Sequence, residues 1–108
     1  MKNKIQEIDC CFRVCEIETL SKKDLNLPPK QKFTLFITYP IASEAQFVFN
    51  TGTGMGTLGV IGEIGKAYEK IYADPDKYGV WGHSIGDLFI ERIFVDYGRK
   101  EIKLYVGS

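Results

Sequence analysis

Two glycine-rich motifs carry the residue patterns closest to known chemical sites. The first, Gly82-His83-Ser84-Ile85-Gly86, fits the G-x-S-x-G pattern of a nucleophile elbow. An elbow needs a strand, a sharp turn and a helix around the serine, and a histidine later in the chain as general base. The only histidine here is His83, inside the motif, and a strand-like segment follows. We therefore predict that Ser84 is not a nucleophile and that the glycines serve a turn.

The second motif precedes the longest predicted helix. Gly54-Met55-Gly56-Thr57-Leu58-Gly59 fits G-x-G-x-x-G, with a strand before it and a helix after it. A helix N-terminus presents unpaired N–H groups and a partial positive charge, and glycines admit a phosphate to the backbone. A dinucleotide fold also needs a parallel strand ending in an acidic residue about twenty positions on. Asp74 and Asp76, near that distance, lie in the turn that ends the helix. The motif thus predicts a generic anion-binding helix terminus.

The same loop has an interpretation without a ligand, as a connector in which Thr57 caps the helix. Gly59, Gly62 and Gly65 recur every three residues, although each costs about 0.5–1 kcal/mol relative to alanine in a helix. This small-residue stripe predicts close packing by a strand, a ligand or the helix of a second subunit. Alternatively, the helix begins near Gly62 or Glu63, and the earlier glycines belong to the loop.

The segment around the only histidine combines aromatic residues with glycines. Loops of this composition, here residues 78–84 with Trp81 and His83, can form ligand walls. Arg92 follows in a strand whose alternation calls for an apolar residue at that position, and an inward arginine needs an anionic partner from the protein or from a ligand. The alternative is that Trp81 covers the edge of the core and His83 bonds a backbone carbonyl.

Together these segments predict a set of ligand-binding residues. They are Thr53, Gly54, Met55, Gly56, Thr57, Trp81, His83 and Arg92. No paired carboxylates, metal cluster or nucleophile–base pair stands out in the sequence, so we predict no catalytic residue, no metal and no cofactor. The three cysteines, Cys10, Cys11 and Cys15, are odd in number and clustered, which favours reduced, partly buried thiols over disulfides.

The elements that must position these residues follow from hydrophobic periodicity. One helix is predicted over residues 57–72, with Leu58, Ile61, Ile64, Tyr68 and Ile71 on its apolar face. Residues 19–31 read as the least confined loop, and residues 77–86 as irregular. Strands are predicted over residues 5–18, 32–39, 45–50, 87–95 and 101–106. The order β-β-β-α-β-β predicts a single α+β domain over residues 1–108, with a largely antiparallel sheet of about five strands and the helix packed on one face.

Composition narrows the functional classes. The 108 residues carry 14 basic and 14 acidic side chains, and this zero balance argues against a nucleic-acid partner. No window approaches the roughly 20 apolar residues of a membrane span, and the polar N-terminus lacks a signal-peptide core. We therefore expect a cytoplasmic protein without a membrane partner.

Three functions remain open at this point. The first is a small non-enzymatic binding protein that holds a phosphate-bearing or nucleotide-like ligand at the glycine-rich helix N-terminus. The second is a protein-interaction module, such as a small inhibitor or immunity-type protein, that acts through a sheet edge or an aromatic patch. An enzyme of unknown class ranks last. Because an open antiparallel sheet has edges that need cover, we also expect a homo-oligomer, in the simplest case a dimer.

Overall fold

The computed structural model describes residues 5–13, 25–82 and 84–107. The side chains of Cys10 and Cys11, and all of Cys15, lie outside the described part of the chain, as do residues 14–18 of the predicted first strand. The elements in chain order are β1 (Ile5–Arg13), β2 (Asn26–Leu27), β3 (Lys32–Ile37), β4 (Ala45–Asn50), β5 (Met55–Gly56), α1 (Thr57–Ala73), α2 (Pro75–Tyr78), a 3-10 turn (Ile85–Asp87), β6 (Phe89–Asp96) and β7 (Glu101–Gly107).

Five strands form the main sheet, in the spatial order β1-β6-β7-β3-β4. The β1–β6, β6–β7 and β3–β4 pairs are antiparallel, whereas β3 and β7 run parallel. The α+β class and the main order of strands and helix are as predicted. Parallel neighbours need a long connection, and the segment through α1 between β4 and β6 supplies one.

Alpha helix α1 covers one face of this sheet. Its buried side chains include Ile61, Ile64, Tyr68 and Ile71, which belong to the predicted apolar face. Leu58, which is predicted on the same face, is 61% exposed, and Val60 is buried in its place. At 100° per residue, Leu58 lies at the margin of the apolar face of the helix, and its side chain points to solvent. Against the helix pack alternate residues of β3, namely Phe33, Leu35 and Ile37.

A second, two-stranded sheet was not predicted. β2 pairs antiparallel with β5, so that Asn26 lies opposite Gly56 and Leu27 opposite Met55. The predicted loop over residues 19–31 is therefore wrong for this part. Leu25 and Leu27 are buried in the core, and the burial of these two side chains holds the segment against the start of α1.

Arg92 does not point into the core, contrary to the prediction. In β6 the side chains of Ile90, Ile93 and Val95 are fully buried, while Arg92 is exposed. The ladder between β6 and β7 shifts its register between Ile90 and Arg92. Such a β-bulge adds one residue and moves the alternation of side chains by one position. Strict alternation through the bulge is what placed Arg92 inside.

One buried phenol joins the helix to the end of β3. The hydroxyl of Tyr68 donates to the carbonyl oxygen of Tyr39 at 2.7 Å. Burial, and then the neighbouring phenols of Tyr72 and Tyr39, raise the pKa of Tyr68 well above its usual range. An unfolded tyrosine titrates near pH 10, so its contribution to stability is complete below about pH 10 and declines as the pH rises further.

We predict that Tyr68→Phe lowers the free energy of unfolding by about 1 kcal/mol at neutral pH, because the carbonyl of Tyr39 loses its donor. Between about pH 9 and pH 11 the variant should lose stability less steeply than the parent chain, since it lacks the phenol whose ionisation opposes folding. Urea unfolding across that range measures both effects. The matched control is Tyr105→Phe at a side chain that is 61% exposed. Equal pH slopes for the parent and Tyr68→Phe would contradict the assignment.

Candidate functional site

The glycine-rich loop before α1 is bound to the rest of the fold by its own backbone. Gly52 and Gly54 have positive φ angles of 61° and 115°, which favour glycine. The N–H of Gly54 donates to the carbonyl of Thr51, and the N–H of Gly52 donates to Oδ1 of Asn50. The buried hydroxyl of Thr51 donates to the carbonyl of Pro28 at 2.6 Å. The loop is thus a structured turn, with several of its donors already used.

Thr57 does not cap the helix as the connector interpretation proposed. The N-cap residue is Gly56, with φ −89° and no side-chain cap hydrogen bond. The hydroxyl oxygen of Thr57 instead accepts the N–H of Leu25 at 3.0 Å and is buried there. This contact, with the β2–β5 pair beside it, fastens the start of α1 to the segment before β3.

The glycine stripe has a partner inside the chain. A Cβ atom on Gly59 would lie 2.5 Å from Cγ of Met55, so the methionine side chain fills the space that the glycine leaves. In the part of the chain that the structure describes, a methyl group at Gly62 would enter open space, with no neighbouring atom within 4 Å. Because α1 begins at Thr57, the alternative in which the helix starts near Gly62 is wrong. At Gly59, the close packing that the stripe predicts is therefore made by the side chain of Met55.

Trp81 belongs to an aromatic group at the other end of α1. Its ring is 51% exposed and lies edge-on to Tyr39, with 5.6 Å between ring centroids. The backbone N–H of Trp81 donates to the carbonyl oxygen of Pro40 at 3.0 Å. The next contact in this group joins Tyr78 to Phe47 in β4, with 6.2 Å between centroids. The group therefore lies at the end of the sheet where β4 begins.

The Ser84 motif forms a turn in the structure. The hydroxyl of Ser84 donates to Oδ2 of Asp87 at 2.9 Å. After Ser84 the chain forms a 3-10 turn and then enters β6. A nucleophile elbow has a helix at that position. Gly82 has a positive φ of 72°, in keeping with a glycine that serves a turn. His83 lies outside the described residues.

The predicted ligand-binding residues are distributed over distant parts of the fold. Trp81 contacts Tyr39, which is bonded to Tyr68, and Tyr68 lies eleven residues beyond Thr57 in α1. At about 1.5 Å per residue this is roughly 17 Å along the helix. Arg92 lies in β6, two strands away from β3. Thr53, Gly54 and Gly56 are exposed near the start of α1. The members of the set that the structure describes, which exclude His83, therefore do not gather in one concave site.

A different surface lies at the outer edge of β4. Among the described residues, no strand pairs with β4 on the side away from β3. The N–H of Thr34 in β3 donates to the carbonyl of Lys100 on the β7 side, and Thr34 lies opposite Val48. In an antiparallel pair, two residues opposite each other both point their backbone groups either inward or outward. Val48 therefore directs its N–H and C=O to the open edge, and so do Gln46 and Asn50.

A groove of about 230 Å³ runs between this edge strand and α1. Its floor is apolar and its helix side carries charges, with Nζ of Lys66 3.5 Å from a carboxylate oxygen of Glu63. The end of the groove at Phe47 adjoins Tyr78. We call the open backbone of β4 and this groove the β4 edge site. The groove is lined by Leu35, Gln46, Phe47, Val48, Phe49, Glu63, Lys66, Ala67 and Lys70.

A second, larger cavity of about 490 Å³ lies at the other side of the sheet, by β1, β6 and β7. Charges of both signs surround it, and Phe94 and Ile5 supply apolar surface. It contains none of the predicted ligand-binding residues. Its lining residues are Ile5, Phe94, Asp96, Arg99, Glu101, Lys103 and Leu104.

The β4 edge site was not predicted from the sequence, although one signal for it is present. The six residues of β4, Ala-Gln-Phe-Val-Phe-Asn, contain no charge and no proline. Edge strands are usually protected by such residues. That signal can be interpreted only when β4 is known to be an edge strand. Local sequence does not reveal this, because strand order depends on pairing between distant segments.

Comparison of the chain with protein-family models, with curated proteins and with solved structures finds no match. Within residues 5–13, 25–82 and 84–107, no three histidine, cysteine, aspartate or glutamate side chains gather as metal ligands. None of the helices in this part of the chain has the length and hydrophobicity that crossing a bilayer requires.

Gly59 and Gly62, two of the three glycines in α1, give a matched pair of variants. Gly62→Ala should raise the free energy of unfolding by about 0.5–1 kcal/mol, because alanine is the better helix former and its methyl group enters open space. Gly59→Ala should give no such gain, because its methyl group meets Met55. Thermal or urea unfolding of both variants measures the difference. A gain of equal size at Gly59 would show that Met55 does not pack there.

Proposed function

We propose that this protein is a protein-interaction module that binds an extended segment of another chain at the β4 edge site. The observation that carries the proposal is an uncharged, proline-free edge strand beside a groove that Leu35, Phe47 and Phe49 line together with charged side chains of α1. An extended segment that pairs with β4 would satisfy the outward backbone groups of Gln46, Val48 and Asn50. Its alternate side chains would enter the groove next to Phe47 and Phe49. This is the strand-addition mode of recognition, in which main-chain bonds give affinity and side-chain pockets give specificity.

The charges on α1 define the partner further. Lys66 and Lys70 stand on the helix side of the groove, and Lys66 is 71% exposed while paired with Glu63. Lys70 has no acidic neighbour among the groove residues other than Glu63. The partner that fits is therefore an extended segment with apolar side chains on its groove face and an acidic group near Lys70.

Binding of a small anionic ligand at the glycine loop takes second place as a proposal. It rests on the loop sequence and on the start of α1. Several donors of that loop have partners within the fold, and the other predicted ligand residues lie at a distance. An enzymatic function ranks third, since no observation favours a particular reaction. The cytoplasm stays the proposed location on the sequence grounds given above.

A peptide selection tests strand addition directly. Random octapeptides are selected against the immobilised chain, and the selected peptides are measured by fluorescence anisotropy on the parent chain, Val48→Ala and Val48→Pro. Val48→Pro removes one outward N–H but none of the β3–β4 hydrogen bonds. We expect it to weaken binding at least about tenfold, because the added strand loses a backbone bond and meets the proline ring. Val48→Ala keeps the N–H and should change the affinity less than about threefold.

Circular dichroism and thermal unfolding establish that both variants are folded. Selected peptides that bind Val48→Pro as tightly as the parent would place their site elsewhere and contradict the proposal. A selection that yields no binder would also contradict it if the chain is monomeric at the concentration used.

A further inference from the structure

The β4 strand itself has the properties that the β4 edge site requires of a partner. Its outward backbone groups belong to residues 46, 48 and 50, which are spaced so that a second copy in antiparallel orientation can pair with them. When Val48 lies opposite Val48 of the other copy, Gln46 falls opposite Asn50. On the groove side the same register places Phe47 opposite Phe49, twice by symmetry. Cross-strand aromatic pairs stabilise antiparallel ladders.

The charges on α1 are also self-complementary in this arrangement. α1 starts near the end of β4, because Thr51 and Thr57 both bond to the segment over residues 25–31. Its later turns reach the start of β4, where Tyr68 meets Tyr39. The helix therefore runs antiparallel to β4, and a two-fold axis through Val48 passes near the middle of the groove residues Glu63 to Lys70. Such an axis brings Glu63 of one copy toward Lys70 of the other.

Resting on the proposed strand-addition function, we infer that the occupant of the β4 edge site is a second copy of this chain. The two copies pair β4 with β4 in the register centred on Val48. The two five-stranded sheets become one ten-stranded sheet, with both α1 helices on the same face. The interface is isologous, as in most dimers with two-fold symmetry. It covers Val48, which is 64% exposed in the single chain.

The test is sedimentation equilibrium of the purified full chain with charge-swap variants. The parent chain should be a dimer at tens of micromolar. Lys70→Glu and Glu63→Lys each place like charges across the axis, and each should raise the dimer dissociation constant about tenfold or more. The double variant Glu63→Lys/Lys70→Glu restores opposite charges and should return within about threefold of the parent. Gln46→Pro is the edge variant, and it should give a monomer.

The three charge variants are at helix positions that border solvent, so they keep the test valid if Gln46→Pro does not fold. A parent chain that stays monomeric up to hundreds of micromolar overturns the inference. Dimerisation that persists in Gln46→Pro also overturns it. So does a double variant, Glu63→Lys/Lys70→Glu, that fails to restore the association lost in the single variants. A monomer that still binds selected peptides, with loss in Val48→Pro, overturns the second-copy inference alone and leaves the proposed function in place. A monomer that binds no peptide overturns both.

Discussion

Backbone hydrogen bonding is the constraint on which the arrangement of this molecule depends. Each residue of a strand points its N–H and C=O to one side, and the next residue points them to the other. In β3, Thr34 turns toward β7, so Phe33 and Leu35 turn toward β4. As a result, the backbone N–H and C=O groups of Phe47 and Phe49 point toward β3, and those of Val48 point to the open edge. In β6 the ladder is interrupted by a bulge between Ile90 and Arg92, and Ile93 is buried after the register shift.

Specific contacts hold α1 against the rest of the fold at two points, one at its start and one near the end of β3. The β4 edge lies between these two points. Thr57 and the β2–β5 pair hold one end of the helix. Tyr68 holds the helix further along its length. With the helix fixed in this way, the groove between α1 and β4 is preformed. A preformed groove lowers the conformational entropy that this protein must itself lose when a partner binds.

Much of this fold could be predicted from local patterns. Alternation of apolar residues identified β3, β4 and β7, and a period of 3.6 identified α1 within one residue at each end. The failures share a cause, which is dependence on distant parts of the chain. The bulge that exposes Arg92 and the pairing of Leu27 with Met55 are set by tertiary contacts. The β4 edge site belongs to the same group, because only the strand order β1-β6-β7-β3-β4 shows which strands are edges.

Amide hydrogen exchange measured by NMR tests most directly whether the β4 edge is paired. The amides of Phe47 and Phe49 face β3 and should exchange slowly at every protein concentration, which makes them an internal control. If a second strand is added, the amides of Gln46, Val48 and Asn50 should be equally slow in concentrated protein. They should become fast on dilution while Phe47 and Phe49 stay slow. Fast exchange of Val48 in concentrated protein, beside slow exchange of Phe47, would contradict the pairing of a second copy at this edge.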